Sequence, residues 1–263
     1  MNYDYRTLKL ERKGRLLTLS MNRPDKLNAV DAVMHEELSR VFSDINLDDG
    51  TDVVILTGAG RGFSAGGDMA WQQAMIDDAA IWAGIAREGK KIVTSLLDLE
   101  KPIIAKVNGA ATGLGATLAL YCDVIFASDK ALIGDTHVLA GLVAGDGGTA
   151  IWPQLIGFAR AKEYLMTGEL IPGPKAAEIG LVNHCVPHEE LDAAVDAFAE
   201  RLLSGATRAI RYTKMAVNAT LKQIVAANLE TSIALEELSN ALPDHQEAVS
   251  AFQAKRKPNF TGK

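Results

Sequence analysis

Glycines punctuate residues 107–149, VNGAATGLGATLALYCDVIFASDKALIGDTHVLAGLVAGDGGT, at places that dictate where a strand stops and a helix starts. The segment Pro102–Asn108 is apolar and β-branched enough to be a buried strand. Gly109 ends it. Gly113 and Gly115 then bracket the start of an apolar helix that runs to about Cys122. The first N–H groups of a helix have no partner inside it and carry part of the positive end of its dipole. Small residues there let another segment or a ligand approach the backbone. The pattern suits the binding of a negative oxygen, and equally suits tight helix–sheet packing.

A second loop has the same design. A buried strand over 52–56 leads through Thr57-Gly58-Ala59-Gly60 into RGFSAGGDM, Arg61 to Met69. If the two strands lie parallel in one sheet, both loops emerge at the same edge, and each can aim one N–H at a common point. Two such donors form an oxyanion hole. Neither loop has the G-x-G-x-x-G spacing or a G-K-[ST] phosphate loop, so nucleotide cofactors are disfavoured.

Around these loops the chain alternates strand and helix. Leu8–Leu10 and Leu16–Met21 read as strands around the turn at Lys13-Gly14. Asp31 caps a helix to about Asn46. A helical region from Ala74 to about Leu97 is interrupted only by Gly84 and Gly89. Thr149–Ile156 and Ala159–Met166 read as helices joined by Gly157, and Pro153 leaves the start of the first one open. Pro174–Ile179 is a short helix and Leu181–Val186 a strand. From Glu189 the chain reads as helix, broken near Ser204-Gly205 and Pro243, with the shift from mixed to all-helical near residue 200.

The net charge of −6 over 263 residues argues against a nucleic-acid surface. Cys122 and Cys185 sit in apolar stretches, the N-terminus lacks the apolar core of a signal peptide, and no run reaches membrane-spanning length. The expectation is a cytoplasmic protein without nucleic-acid or membrane partners.

Several motifs carry a resemblance: NRPDKLNA (22–29), FSAGGD (63–68), KPIIAKVNGAATGLG (101–115), CDVIFA (122–127), GDGGT (145–149), MTGE (166–169) and FQAKRKPNF (252–260). The chain resembles the crotonase superfamily, the enoyl-CoA hydratases and isomerases, over almost its full length. The resemblance implies an α/β fold, a spiral of ββα units over residues 1–200 holding the active site, and a C-terminal helical trimerisation region over 201–263. It implies an acyl-CoA substrate that brings its own CoA, no other cofactor, and a homotrimer or dimer of trimers. Carried over by motif, the oxyanion-hole amides are Gly67 and Leu114. The CoA would lie along Lys26, Leu27 and Asn28 and along Ala65, Gly66 and Asp68.

The departures bear on the reaction. The hydratases of this family use two glutamates on water and the α-proton; at those positions this chain has Thr117 and His137. Thr117 cannot serve as a base near neutral pH. His137 can, and Asp146 could fix its tautomer, the two residues resembling the pair of the β-diketone hydrolase branch, which breaks a carbon–carbon bond with water. Alternatively His137 is a loop histidine with satisfied nitrogens, and Asp146 is the N-cap of the helix after it. The candidate catalytic residues are therefore His137, Asp146 and Thr117. Other readings are a hydrolytic C–C cleavage or a non-catalytic CoA-binding member.

His184 and His188 are expected at the surface, His35 and His245 on helices. Asp48-Asp49 and Asp77-Asp78 are expected to be solvated helix ends. Trp71, Trp82 and Trp152 should line the core or an acyl pocket. Lys255, Arg256 and Lys257 form a solvated face or meet CoA phosphates. No Cys/His spacing is of metal type, so no metal is expected.

Overall fold

In a computed structural model that describes residues 3–262, the strands leading into the two glycine-rich loops are neighbours in one parallel sheet. The chain runs β1 (Leu8–Lys13), β2 (Leu16–Met21), α1 (Ala32–Asn46), β3 (Val53–Gly58), α2 (Met69–Asp77), α3 (Trp82–Asp98), β4 (Ile103–Val107), β5 (Ala111–Thr112) and α4 (Leu114–Leu120). It continues with β6 (Val124–Ser128), β7 (Leu132–Gly134), α5 (Gly148–Thr167), β8 (Ile171–Pro172), α6 (Gly173–Glu178) and β9 (His184–Val186). Three helices close it: α7 (Leu191–Leu203), α8 (Thr207–Asn240) and α9 (Pro243–Gln253). The larger sheet has the order β1-β2-β3-β4-β6-β9, parallel except for the β1–β2 hairpin. A smaller sheet, β5-β7-β8, stands beside it.

Every residue of β3 is buried, as a strand covered on both faces requires. Val54 and Leu56 join the main core with Met34, Leu38 and Phe42 of α1 and Ile92 and Leu96 of α3. Val53 and Ile55 point the other way, with Ile104 and Phe126, onto Leu191, Val195 and Ala199 of α7. Period-two alternation thus assigns α1 and α3 to one face and α7 to the other. α8 completes the main core through Val225, Leu229 and Ile233.

Asp31 caps α1 by accepting the Met34 N–H at 2.9 Å. At the other end of α1 the buried Lys101 ammonium donates to the carbonyls of Ile45, Asn46 and Asp48, closing that end onto the start of β4.

Four details differ from the sequence reading. The helical break falls at Asp78 rather than at Gly84 or Gly89, because the Asp78 carboxylate takes the Ala80 N–H (2.9 Å) and offers the backbone an alternative to helix. β6 and β7 occupy a stretch left unassigned, and the last strand is shorter than Leu181–Val186. The joint read at Gly157 is present as a bend (φ 78°, ψ 159°) in α5, with Pro153 inside the helix before it. Asp48 is not a solvated helix end. It is buried and accepts from Tyr3, Thr51, Gly50 and Arg12; against the effect of burial, these partners hold its carboxyl well below the usual range.

Candidate active site

Loops leave the carboxyl ends of the parallel strands β2, β3 and β4 at one edge of the sheet, and hydrogen bonds knit them together. Asn28 donates to the Ala59 and Gly62 carbonyls, both at 2.9 Å, and Asn108 to those of Gly58 and Gly60. Ser64 pairs with Ala111 in a parallel bridge, as does Val30 with Gly67. In the second bridge the Val30 N–H donates to Gly66 O (2.7 Å) and the Asp68 N–H to Val30 O (2.8 Å). The Gly67 N–H therefore faces away from Val30. Neither it nor the N–H of Leu114, the first residue of α4, has a partner among the described residues. Gly67 and Leu114 line the same cavity. Gly66 at φ 78° makes this possible: a Cβ there would lie 2.9 Å from Thr112 O.

His137 sits on a 3-10 turn, His137–Ala140, after β7. Its Nδ1 is 2.7 Å from Asp135 Oδ1, and its backbone N–H donates to the same oxygen at 3.2 Å. Its Nε2 faces Asp146 Oδ2 at 3.6 Å and Glu236 Oε1 at 3.9 Å. Thr117 Oγ1 donates to Asp146 Oδ1 at 3.0 Å, while Asp146 Oδ2 has no partner. The glycines of GDGGT make room for this array. A Cβ on Gly145 would lie 2.5 Å from Glu236, and one on Gly148 would lie 2.4 Å from Asp135 Oδ2. His245 of α9 braces the turn through Nδ1, 2.6 Å from Ala140 O.

Burial alone would depress the His137 pKa, but the Asp135 and Asp146 charges override it and hold the imidazole well above 6.5. Burial raises the Asp146 carboxyl, against the opposing pull of His137. Glu236 is pushed up to about 8 by burial, opposed by His137 and reinforced by Asp146 and Asp135. Near neutral pH the array thus pairs an imidazolium with a protonated glutamic acid.

The cavity measures about 70 Å³, room for a few water-sized groups at roughly 10–15 Å³ each. Beyond the array, its walls are mainly Trp71, Met75, Trp82, Ile85, Leu142 and Ile233. His35 of α1 reaches it too, with Nδ1 2.7 Å from Glu88 Oε2.

The residues expected from sequence are distributed as follows. His137, Asp146, Gly67 and Leu114 meet at the cavity, and Thr117 touches it through Asp146. Asp146 is not the cap of α5: Gly147 holds that position without a side-chain cap. Asp146 is also not the partner of Nδ1, which is Asp135. Asn28 is fully buried and both ends of its amide serve the loop backbone, so its side chain has no hydrogen bond left for a ligand. Asp68 caps α2 and pairs with Arg23 at 3.2 Å. Lys26 is exposed, Leu27 and Asn28 take positive φ, and Ala65 and Gly66 present backbone at the same edge. Trp71 and Trp82 line the cavity, whereas Trp152 is core. His184 and His188 are exposed; Arg256 pairs with Glu247, and Lys255 and Lys257 are exposed.

Asp135 and Glu236 escaped the sequence reading, which placed His35 on a helix, where it is, but not at the site. The signal for Glu236 was present: it continues the buried stripe Val225, Leu229, Ile233 of α8, where a carboxylate is out of place.

Asp135, His137 and Asp146 offer ligand atoms within 4.8 Å of one another. The two aspartates address opposite nitrogens of the His137 ring.

Comparison with known proteins gives the following. The sequence profile of the enoyl-CoA hydratase/isomerase family matches residues 11–263. A crotonyl-CoA hydratase of Syntrophomonas wolfei is 35% identical over 260 residues, 98% of this chain and 99% of the relative. Among solved structures, an enoyl-CoA hydratase/isomerase from Mycobacterium paratuberculosis superposes with a TM-score of 0.91 at 35% identity, over 94% of this chain and 99% of that one. A β-diketone hydrolase from the cyanobacterium Anabaena, bound to (S)-3-oxocyclohexyl acetic acid, superposes with a TM-score of 0.84 at 32% identity, over 90% of this chain and 95% of that one.

Proposed function

Since the chain belongs to the enoyl-CoA hydratase/isomerase family, we propose that it binds an acyl-CoA with the thioester oxygen between the Gly67 and Leu114 amides and adds water to an enoyl group. The observation that carries this reading is the pair of carboxyls, Asp146 and Glu236, flanking His137 Nε2 in the cavity those two amides line. The family's two glutamates are absent at Thr117 and His137, and a carboxyl pair returns from other elements.

Position and charge together suggest the roles, Asp146 lying nearer His137 Nε2 at 3.6 Å than Glu236 at 3.9 Å. Asp146 takes a proton from water as the oxygen attacks the β-carbon. The electron pair of the double bond moves onto the thioester oxygen, where the two amides stabilise it; one such donor is typically worth about 2.7–4 kcal/mol. Glu236, neutral below about pH 8, supplies the proton that the α-carbon takes up. His137 keeps its own proton and draws the two carboxyls toward Nε2, so it is an orienting cation rather than the base that its position suggests from sequence.

The nucleotide and pantetheine lie along the backbone of Lys26, Leu27, Ala65 and Gly66, and CoA comes with the substrate as its only carrier. Residues 1–200 form the catalytic core, which α8 completes with Ile233 and Glu236. Residues 201–263 form the association region, a homotrimer or dimer of trimers in which apolar residues such as Met215, Val217 and Leu238, exposed on α8, are covered. No described helix is long and apolar enough to cross a membrane, and the compartment proposed is the cytoplasm.

A second reading has support of its own. The β-diketone hydrolase neighbour and the His137–Asp146 contact also suit attack of water on a carbonyl, with an enolate leaving into the same hole. Assays with crotonyl-CoA, a β-ketoacyl-CoA and a CoA-free cyclic β-diketone separate the two readings. Hydration of the enoyl-CoA supports the first, and cleavage of the diketone alone replaces it with the second. No turnover of any of them leaves a non-catalytic binder.

A further inference from the structure

Asp146 belongs to no helix or strand: it lies between the turn that carries His137 and the start of α5. Three buried hydroxyls hold it there. Thr117 Oγ1 donates to its carboxylate at 3.0 Å. The carbonyls on either side of it each accept one more, Gly145 O from Ser232 at 2.9 Å and Gly147 O from Tyr121 at 3.1 Å. The chain passes close over the phenol because residue 147 is glycine; a Cβ there would lie 3.0 Å from the Tyr121 ring.

Ser232 comes from α8, one turn before Glu236. The other two donors come from α4 and its last turn. Leu114, Thr117 and Tyr121 follow at i, i+3 and i+7, which is one face of a helix. The residue that offers the oxyanion amide, the one that grips the base and the one that grips the chain beside the base are thus carried by a single helix. Neither Thr117 nor Tyr121 lines the cavity. We infer that Thr117 and Tyr121 are positioning residues that fix the Asp146 carboxylate relative to the Leu114 amide. Position 117, where the hydratases of the family keep a glutamate, here acts through another carboxylate. This inference rests on the proposed function for the role of Asp146 as base.

The surroundings of Asp146 give the sign of a pH effect. Burial raises its carboxyl; His137 pulls it down, Asp135 pushes it up, and the Thr117 hydroxyl and the Gly148 N–H pull it down. Glu236 of α8 faces it across His137 Nε2, and the Tyr121 phenol, raised by burial and by Asp146 itself, stays neutral. Loss of the Thr117 hydroxyl therefore makes the base harder to ionise.

Thr117→Val and Tyr121→Phe each remove one hydroxyl and keep the shape. On the best substrate, Thr117→Val should lower kcat about tenfold or more, with KM within about twofold, the worth of a hydrogen bond to a charged group. It should also move the acidic limb of the pH–rate profile upward by about one unit. Thr117→Ser, which keeps the hydroxyl, should recover most of both. Tyr121→Phe should lower kcat by roughly three- to tenfold, again without a change in KM. Unchanged kcat in both hydroxyl-free variants overturns the inference, as does a loss in Thr117→Val that leaves the acidic limb in place or that Thr117→Ser fails to restore. If the wild type turns over neither enoyl-CoA, β-ketoacyl-CoA nor diketone, the proposed function falls, and crystal structures of the two variants decide the positioning alone. A carboxylate displaced from the Leu114 nitrogen by about 1 Å upholds it; a carboxylate unmoved in both overturns it.

Discussion

His137 and Asp135 are joined through Nδ1 at 2.7 Å, two residues apart on the same turn. This contact turns Nε2 toward Asp146 and Glu236 and fixes which nitrogen meets the cavity. Asp135→Asn keeps the shape but offers an amide that can present either face. It should lower kcat by about 10²-fold or more with little change in KM, since the charge and orientation of the imidazolium are at stake. Steady-state kinetics on the best substrate decide it; an unchanged kcat would leave Asp135 as a turn residue only.

Glu236 predicts a pH dependence. Its pKa is raised from 4.5 to about 8, so the folded protein holds a proton there that the unfolded chain releases above about pH 4.5. Its contribution to stability is complete below 4.5 and is lost as pH rises through about 8. Thermal melts of Glu236→Gln should lose less stability than wild type between pH 5 and 9. Activity of the wild type should fall as pH rises past 8, because the acid that protonates the α-carbon is then ionised. Melting curves of equal pH slope in the two proteins would contradict this.

Two glycines with the same φ make an internal control. Gly66 and Gly157 both have φ 78°, but a Cβ at Gly66 meets Thr112 O at 2.9 Å while Gly157 has open space around it. Both alanine variants pay for a left-handed conformation, roughly 1 kcal/mol or somewhat more. Only Gly66→Ala should also lose turnover, by tenfold or more, because it displaces the Gly67 amide. Melting temperature and kcat, measured together, check the contrast; equal losses of kcat would detach the 65–68 loop from catalysis.

Asp135, His137 and Asp146 also predict how the site responds to metals. A proton array needs no ion, so dialysis against a chelator should leave kcat unchanged and added zinc should inhibit, by drawing Nε2 and Asp146 onto the metal. Loss of activity on chelation, restored by a divalent ion, would recast the cluster as a metal centre.

Much of this could be read in the sequence because glycine and strand patterns act locally. The runs into Gly58 and Gly109 predict two buried strands, and parallel pairing then forces their loops to one edge; which residues of those loops matter, Gly67 and Leu114, is implied by the resemblance to the crotonase superfamily. The helix of α1, its Asp31 cap and the breaks near Gly205 and Pro243 were equally legible. The proton array was legible in part: His137 and Asp146 stood out, Asp135 was missed two residues away, and Glu236 depends on a pairing far apart in sequence. Glu236 comes within 3.9 Å of His137 only because α8 packs onto Gly145, and no periodicity records which helix crosses which glycine. Asn28 shows the converse: its motif pointed to the ligand, while the fold spends its whole amide on the loops.

The central claim is the place of the thioester oxygen. A crystal structure with a slowly reacting acyl-CoA measures it directly. The account predicts that oxygen within roughly 2.7–3.1 Å of both the Gly67 and Leu114 nitrogens, with the acyl group beside the His137 array. A carbonyl oxygen seated away from either amide, or CoA bound outside the edge formed by residues 26–28 and 65–68, would contradict it.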